Sequence, residues 1–313
     1  PYITMLGPIE SAAQRISIMG ICNKSAGVIA TYLFGVMALK NGDALLANLK
    51  TMDVAQKAAA LNDLASRVIV PYIAMTAILA LIGIFVKVSG LPEIDPNVEN
   101  IMEDEKSYSS KTSIFQFPFL LLGVVAIFCD VGLEIVAGDT IISYGLSRGI
   151  PISIAKHFTS LTMIASIIGY TIGVIAIPRY ISQSKALRVC AILGIVFTCM
   201  AVASPRLISV AFIALLGMAN SLIWPSVWPL AIEGLGRFTR IGSSLLIMGN
   251  LGGALLPLLY GRLADVASPQ NAYLIVIPCY FFILYNAMEG HKVGKSLKKL
   301  PESDRKSVVN GNS

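Results

Sequence analysis

Three carboxylates stand inside one apolar stretch, residues 128–144 (FCDVGLEIVAGDTIISY): Asp130, Glu134 and Asp139. On a helix Asp130 and Glu134, four apart, stack on one face about 6 Å apart along the axis. Asp139 falls about 13 Å beyond Asp130, points elsewhere and comes nearer one membrane surface. Facing lipid at mid-depth, each acid would cost about 2.5–3.5 kcal/mol. They therefore call for an aqueous path, a cation or a proton, and all three are read as ion-coupling groups. A carboxyl so placed can load and unload a proton near neutral pH. The plainer alternative is a Lys or Arg from a neighbouring helix, and the chain offers few deep basic residues beyond Lys24.

Other polar groups sit in similar surroundings. In ISIMGICNKSAG, Asn23 reads as a cavity residue, because a buried amide has to find partners. Lys24, about a third of the way across, is open to snorkelling, a structural ion pair or a transport role. In ANSLIWPSVWPLAI, Pro225 and Pro229 interrupt the helical ladder, which spans tolerate beside a cavity or a neighbouring helix. Asn220 and Trp224 lie by that break. An indole there can stack on a sugar ring, the alternative being an interfacial belt aromatic. In GSSLLIMGNLGGALLPLLYGRLAD, Gly249, Gly252 and Gly253 allow close helix approach. Asn250 among them reads equally as packing glue or as a partner for hydroxyls.

Composition explains what must position these residues. The chain has 313 residues, 55% hydrophobic and 13% charged, with a mean hydropathy of +0.74. A soluble domain carries about 25% charged residues. The apolar residues fall in long blocks, the mark of a multi-span membrane protein. Eight complete spans are predicted at 16–39, 68–90, 115–140, 158–177, 186–204, 207–232, 241–261 and 272–289. Residues 1–15 read as the end of an earlier span and a short loop, and the chain is expected to begin inside a longer protein.

The net charge of +6 needs no nucleic acid. Lys and Arg concentrate in the tail and in alternate loops, which places the tail and the 91–114 loop in the cytoplasm. Residues 40–67 read as a solvated outer cap of one or two short amphipathic helices. The cysteines, Cys22, Cys129, Cys190, Cys199 and Cys279, have neither metal-ligand nor disulfide spacing and read as buried thiols. His157 and His291 are isolated, so no metal site or cofactor is expected.

Several stretches resemble the fucose–proton symporter branch of the major facilitator superfamily, including its glucose/galactose transporters. GPIESAAQRISIMGICNKSAG is similar to the fourth-to-fifth helix region of that branch. NSLIWPSVWPLAIEGLGRFTRIGSSLLIMGNLGGALLPLLYGRLAD is similar to its tenth-to-eleventh helix block. Val131-Gly132, Glu134, Gly138 and Tyr144 fit its seventh-helix pattern. The resemblance covers essentially residues 1–290. It implies that Asn23 matches a fifth-helix Asn that contacts sugar, that Gly20 stands where the symporter has Gln, and that Trp224 replaces a Phe or Tyr. Asp130 replaces an aromatic and is an extra acid. The branch's first-helix polar pair and fourth-helix Glu would lie upstream of Pro1, and Glu10 is not the latter.

The expected fold is all-α and transmembrane, a major facilitator fold lacking roughly its first three and a half helices. Residues 1–90 would be the remnant of the N-terminal half and 91–114 the cytoplasmic loop between halves. Residues 115–290 would form a six-helix C-terminal half, and 291–313 a disordered cytoplasmic tail. The expected function is secondary active transport of a hexose-type sugar across the cytoplasmic membrane, by alternating access, as a monomer. The coupling ion is a proton by resemblance, with sodium open because the extra acids can form a cation site. Asn23, Asn220, Trp224, Asn250 and Tyr144 would bind substrate. Two other readings are a sugar sensor of the same architecture and a polytopic enzyme using Asp130 and Glu134 as acid and base. The latter lacks a nucleophile, His or metal motif nearby, and the chain is read as no enzyme.

Overall fold

The computed structural model describes residues 8–38, 48, 52–89 and 113–294, and the regular elements there are helical. Eight stretches among the described residues are long and apolar enough to cross a membrane. The expected 40–67 cap lies partly outside the described residues, as do nearly all of the 91–114 loop and of the 291–313 tail.

The first span, α1 (Ala12–Ala38), starts four residues earlier than the hydrophobic pattern predicted. Arg15 therefore lies in its first turn rather than in a closing loop. Lys24 shifts too: it is about 18 Å along the helix axis, near the middle, too deep to snorkel. Next, α2 (Val54–Ser66) opens on a capping box in which Asp53 accepts from the Gln56 amide and Gln56 returns a bond to the Asp53 amide. It leads into α3 (Ile69–Val88), apolar all round and without a buried residue. Such a surface suits hydrocarbon and not water.

The remaining helices gather around α4 (Pro118–Asp139), which carries the three acids and starts on a proline at a position where a missing N–H costs nothing. It continues through α5 (Ile141–Ser147) to α6 (Phe158–Ala176) and α7 (Gln183–Ala203). The sixth span is broken into α8 (Arg206–Asn220) and α9 (Ile223–Ile232). The break falls at Ser221, four residues before Pro225, where the proline ring clashes and no N–H reaches back. The seventh is broken into α10 (Thr239–Met248) and α11 (Gly252–Val266) by a tight turn at Gly249–Leu251. The last is α12 (Val276–Met288). Helix α4 packs against α6, α8, α9, α10, α11 and α12, while α1 packs chiefly along α6.

Lipid gives helices no hydrophobic reason to associate, so small residues and polar bonds do the work. A methyl on Gly252 would run into the backbone carbonyl of Phe128, and one on Gly249 would stand 2.9 Å from the carbonyl of Val124. The expected close approach at the glycine turn is thus made to α4. Polar side chains tie the ends. Gln270 donates to the carbonyls of Val202 (2.6 Å) and Ser204 (3.1 Å), satisfying the end of α7, and accepts from Arg148 at 2.7 Å.

The cysteines correct an expectation. Cys129 and Cys190 are buried, but Cys22 and Cys199 are exposed and Cys279 is half-buried. An apolar run in a membrane protein marks lipid-facing and core positions alike, so burial did not follow from it.

Gly252→Ala is expected to lower the unfolding midpoint in detergent, costing at least about 1–3 kcal/mol as overpacking does. Gly261→Ala, where an added methyl meets open space, should change it by less than about 1 kcal/mol. Equal midpoints for the two variants would refute this account of the α4–α11 seam.

Candidate functional site

Lys24 and Glu134 meet in an ion pair that joins α1 to α4. The depth of Lys24 explains the choice: its ammonium cannot reach either surface, and the nearest relief is a carboxylate. The lysine side chain is 15% exposed and the glutamate 37%. Asp130 and Asp139 also lie within electrostatic reach of Lys24. One ammonium thus faces three carboxyls, and it is bonded to one of them.

The other two acids fare differently. Asp139 ends α4 and is exposed. Asp130 is 1% exposed, and neither of its oxygens has a hydrogen-bond partner. Around it stand Tyr170 of α6, Cys190 of α7 and Tyr280 of α12, each close enough to feel its charge.

Asn220, the last residue of α8, is 6% exposed at the break before α9. Its amide oxygen accepts from the Tyr280 hydroxyl at 2.6 Å, while its amide nitrogen has no partner. Trp224 is half-buried and stacks on Trp228, ring centroids 4.8 Å apart. The indole nitrogen of Trp228, buried beneath it, is likewise without a partner. Two tryptophans one turn apart therefore form a paired aromatic surface beside the break, rather than a single stacking ring.

The structure does not gather every expected residue. Asn23 and Asn250 are exposed, one on α1 and the other in the glycine turn. Tyr144, expected at the substrate, is 1% exposed. Its hydroxyl meets that of Ser209 at 2.5 Å, which in turn donates to the Ala201 carbonyl at 2.6 Å. A tyrosine held edge-on by Tyr273, with its polar end occupied, packs the helices together.

Tyr170 and Tyr280 were missed, because a tyrosine inside an apolar run carries no periodic or charge signal. Glycines let both rings in. Gly194 lies under the ring of Tyr280, and a methyl on Gly20 would stand 2.6 Å from the ring of Tyr170. The space a larger side chain would need at position 20 is filled from across the α1–α6 contact. That contact runs the length of both helices, from Gln14 on the Val174 carbonyl (2.8 Å) to Thr31 on Ser160 (2.8 Å) and Tyr32 stacked on His157.

Removing one partner of the ion pair strands the other in the membrane. Lys24→Met and Glu134→Gln are each expected to destabilise the protein, and the double variant to recover part of the loss. The cycle should give a coupling energy of about 0.5–3 kcal/mol in thermal unfolding. Strict additivity would mean that the pair contributes nothing.

Comparison with known proteins places this architecture. No family model matches the chain. Over 298 residues it is 30% identical to the glucose/galactose transporter of Brucella abortus biovar 1 (strain 9-941), with 93% of this chain and 67% of that protein covered. It is 25% identical over 298 residues to the putative glucose/galactose transporter of Helicobacter pylori (strain J99), covering 93% and 69%. Against the L-fucose-proton symporter of Escherichia coli (strain K12) the identity is 23% over 287 residues, covering 90% and 65%. The fold matches the crystal structure of the major facilitator superfamily transporter FucP in the outward conformation. The TM-score is 0.70 at 23% identity, over 92% of this chain and 70% of that one. The chain thus spans about two thirds of the length of these transporters, and all of the proteins it matches here are transporters rather than enzymes. The chain belongs to the fucose–proton symporter branch of the major facilitator superfamily.

Proposed function

We propose that this protein carries a hexose-type sugar across the cytoplasmic membrane by alternating access, with a coupled proton. The observation that carries the reading is the acid-bearing face of α4. An ammonium, an engaged carboxylate and a buried carboxyl without partners lie together in a helix that crosses hydrocarbon. Static structural charges would be fully matched, whereas a transport pathway has reason to keep a spare ionisable group. The names of the relatives, glucose/galactose transporter and L-fucose-proton symporter, support sugar as the cargo and a proton as the ion.

In this reading Asn23, Lys24 and Glu134 present polar groups from α1 and α4, and the Trp224–Trp228 pair offers a flat face to a sugar ring. Asn220 adds an amide at the break between α8 and α9. Asn250 lies on the exposed glycine turn as a further hydroxyl partner. The division into a half ending near residue 90 and another beginning near 115 belongs to the same proposal, as does action as a monomer. Asp139 is placed at the mouth of the ion path.

Counterflow of labelled hexoses in vesicles holding the intact carrier tests this. At least one hexose should exchange, and its net uptake should rise when an inward proton gradient is imposed. Absence of uptake for every hexose, with and without the gradient, would end the reading. Uptake driven only by sodium would keep the carrier and change the ion.

A further inference from the structure

The two acids that share one face of α4 are in opposite circumstances. Glu134 is part-exposed and bonded to Lys24. Asp130, one turn away, is 1% exposed and has no hydrogen bond on either oxygen. An ionised carboxylate in that position would keep neither water nor a donor, which is the most unfavourable setting a charge can have. The nearby ammonium is already spent on Glu134. A neutral carboxylic acid greatly lessens the cost, because a buried polar group without a partner is far cheaper than a buried charge without one.

The groups that face Asp130 supply no alternative charge. Within electrostatic reach of it lie Lys24 of α1, Tyr170 of α6, Cys190 of α7 and Tyr280 of α12, with Glu134, Asp139 and Cys129 on its own helix and Cys279 opposite Cys129. The breaks and glycines around it bring phenols, thiols and the Asn220 amide, whose nitrogen is also unpartnered and buried. Lys24 is the one fixed cation among these neighbours.

We propose that Asp130 is the proton-binding site of this carrier, and that Lys24 responds to its state by moving between Glu134 and Asp130. This rests on the transport reading above and assigns distinct roles within it. With the proton on Asp130, Lys24 holds Glu134 and the pair stands ready beside Asn23 for a sugar. When the Asp130 carboxyl releases its proton to water on the side that is open, the O–H bond breaks and a carboxylate remains. Lys24 keeps all of its own protons and swings along α4 by about one helical turn, roughly 6 Å, to the new charge. The Glu134 contact is lost, the sugar-binding surface is dismantled, and sugar and proton leave together. Binding of either one favours the other, as linkage requires for symport.

The test uses the intact carrier in proteoliposomes with a pH-sensitive dye, reading sugar-driven proton entry and sugar exchange side by side. Asp130→Asn fixes the site in a neutral form. It should lower proton entry at least about tenfold more than it lowers exchange. Proton entry per sugar equal to wild type in the variant would overturn the proposal. So would wild-type transport that moves no proton at all, and in both cases the sugar-carrier reading survives. A wild-type protein that moves no hexose would instead sink that reading. Infrared spectroscopy gives a measurement independent of transport. The carbonyl stretch of a protonated carboxylic acid should be present in wild-type protein at neutral pH and missing in Asp130→Asn. A band that is absent from wild type, or unchanged in the variant, would refute proton binding at Asp130 even if the variant proved inactive.

Discussion

One deep ammonium, bonded to Glu134 and within electrostatic reach of Asp130 and Asp139, is the constraint to which the rest of this structure answers. Water would make such a group trivial. In a bilayer each unmatched charge is expensive, and helix packing has to bring Lys24 of α1 against α4 to match even one of them. The need reaches well beyond the pair. Helix α1 is laid along α6 by a polar and aromatic ladder from Gln14 to Tyr32, and that ladder fixes the height at which Lys24 meets α4.

Glycine is what lets the polar interior assemble. Without an apolar driving force, helices hold together only where backbones approach closely. The α4–α11 seam does this with Gly132, Gly249 and Gly252. A second use is less familiar: Gly20 and Gly194 each give up their own side-chain volume to a tyrosine from the facing helix. Those two tyrosines border Asp130. A larger side chain at position 20 and the Tyr170 ring cannot both occupy that space in the present packing.

Much of the architecture was legible because membrane spans obey a length rule. Runs of about 20 apolar residues predicted the eight crossings found among the described residues, and the prolines predicted that the sixth of them bends. The breaks themselves were less legible. Pro225 and Pro229 suggested kinks at the prolines, whereas the helix is interrupted at Ser221, one turn earlier, because a proline acts on the residue four before it. The start of α1 was misjudged for a related reason. Gln14 and Arg15 look like loop residues, yet the Gln14 amide bonds to the Val174 carbonyl and lies inside the helix. That four-residue shift moved Lys24 from the edge of the membrane to its middle.

The candidate site was legible in its charges and illegible in its neutral members. Asp130 and Glu134 announce themselves by breaking an apolar run, and their spacing gives a shared face. Tyr280, which holds Asn220, looks like any aromatic of an apolar span until the fold brings it to Asp130. The same neighbours bear on the nature of the ion. A hard metal cation seeks a shell of several oxygen ligands, whereas Asp130 is bordered by two phenols, a thiol and a lysine. A proton asks for one lone pair and tolerates a nearby ammonium that can step in when it leaves. The chemistry around Asp130 thus suits a proton better than a hard metal cation.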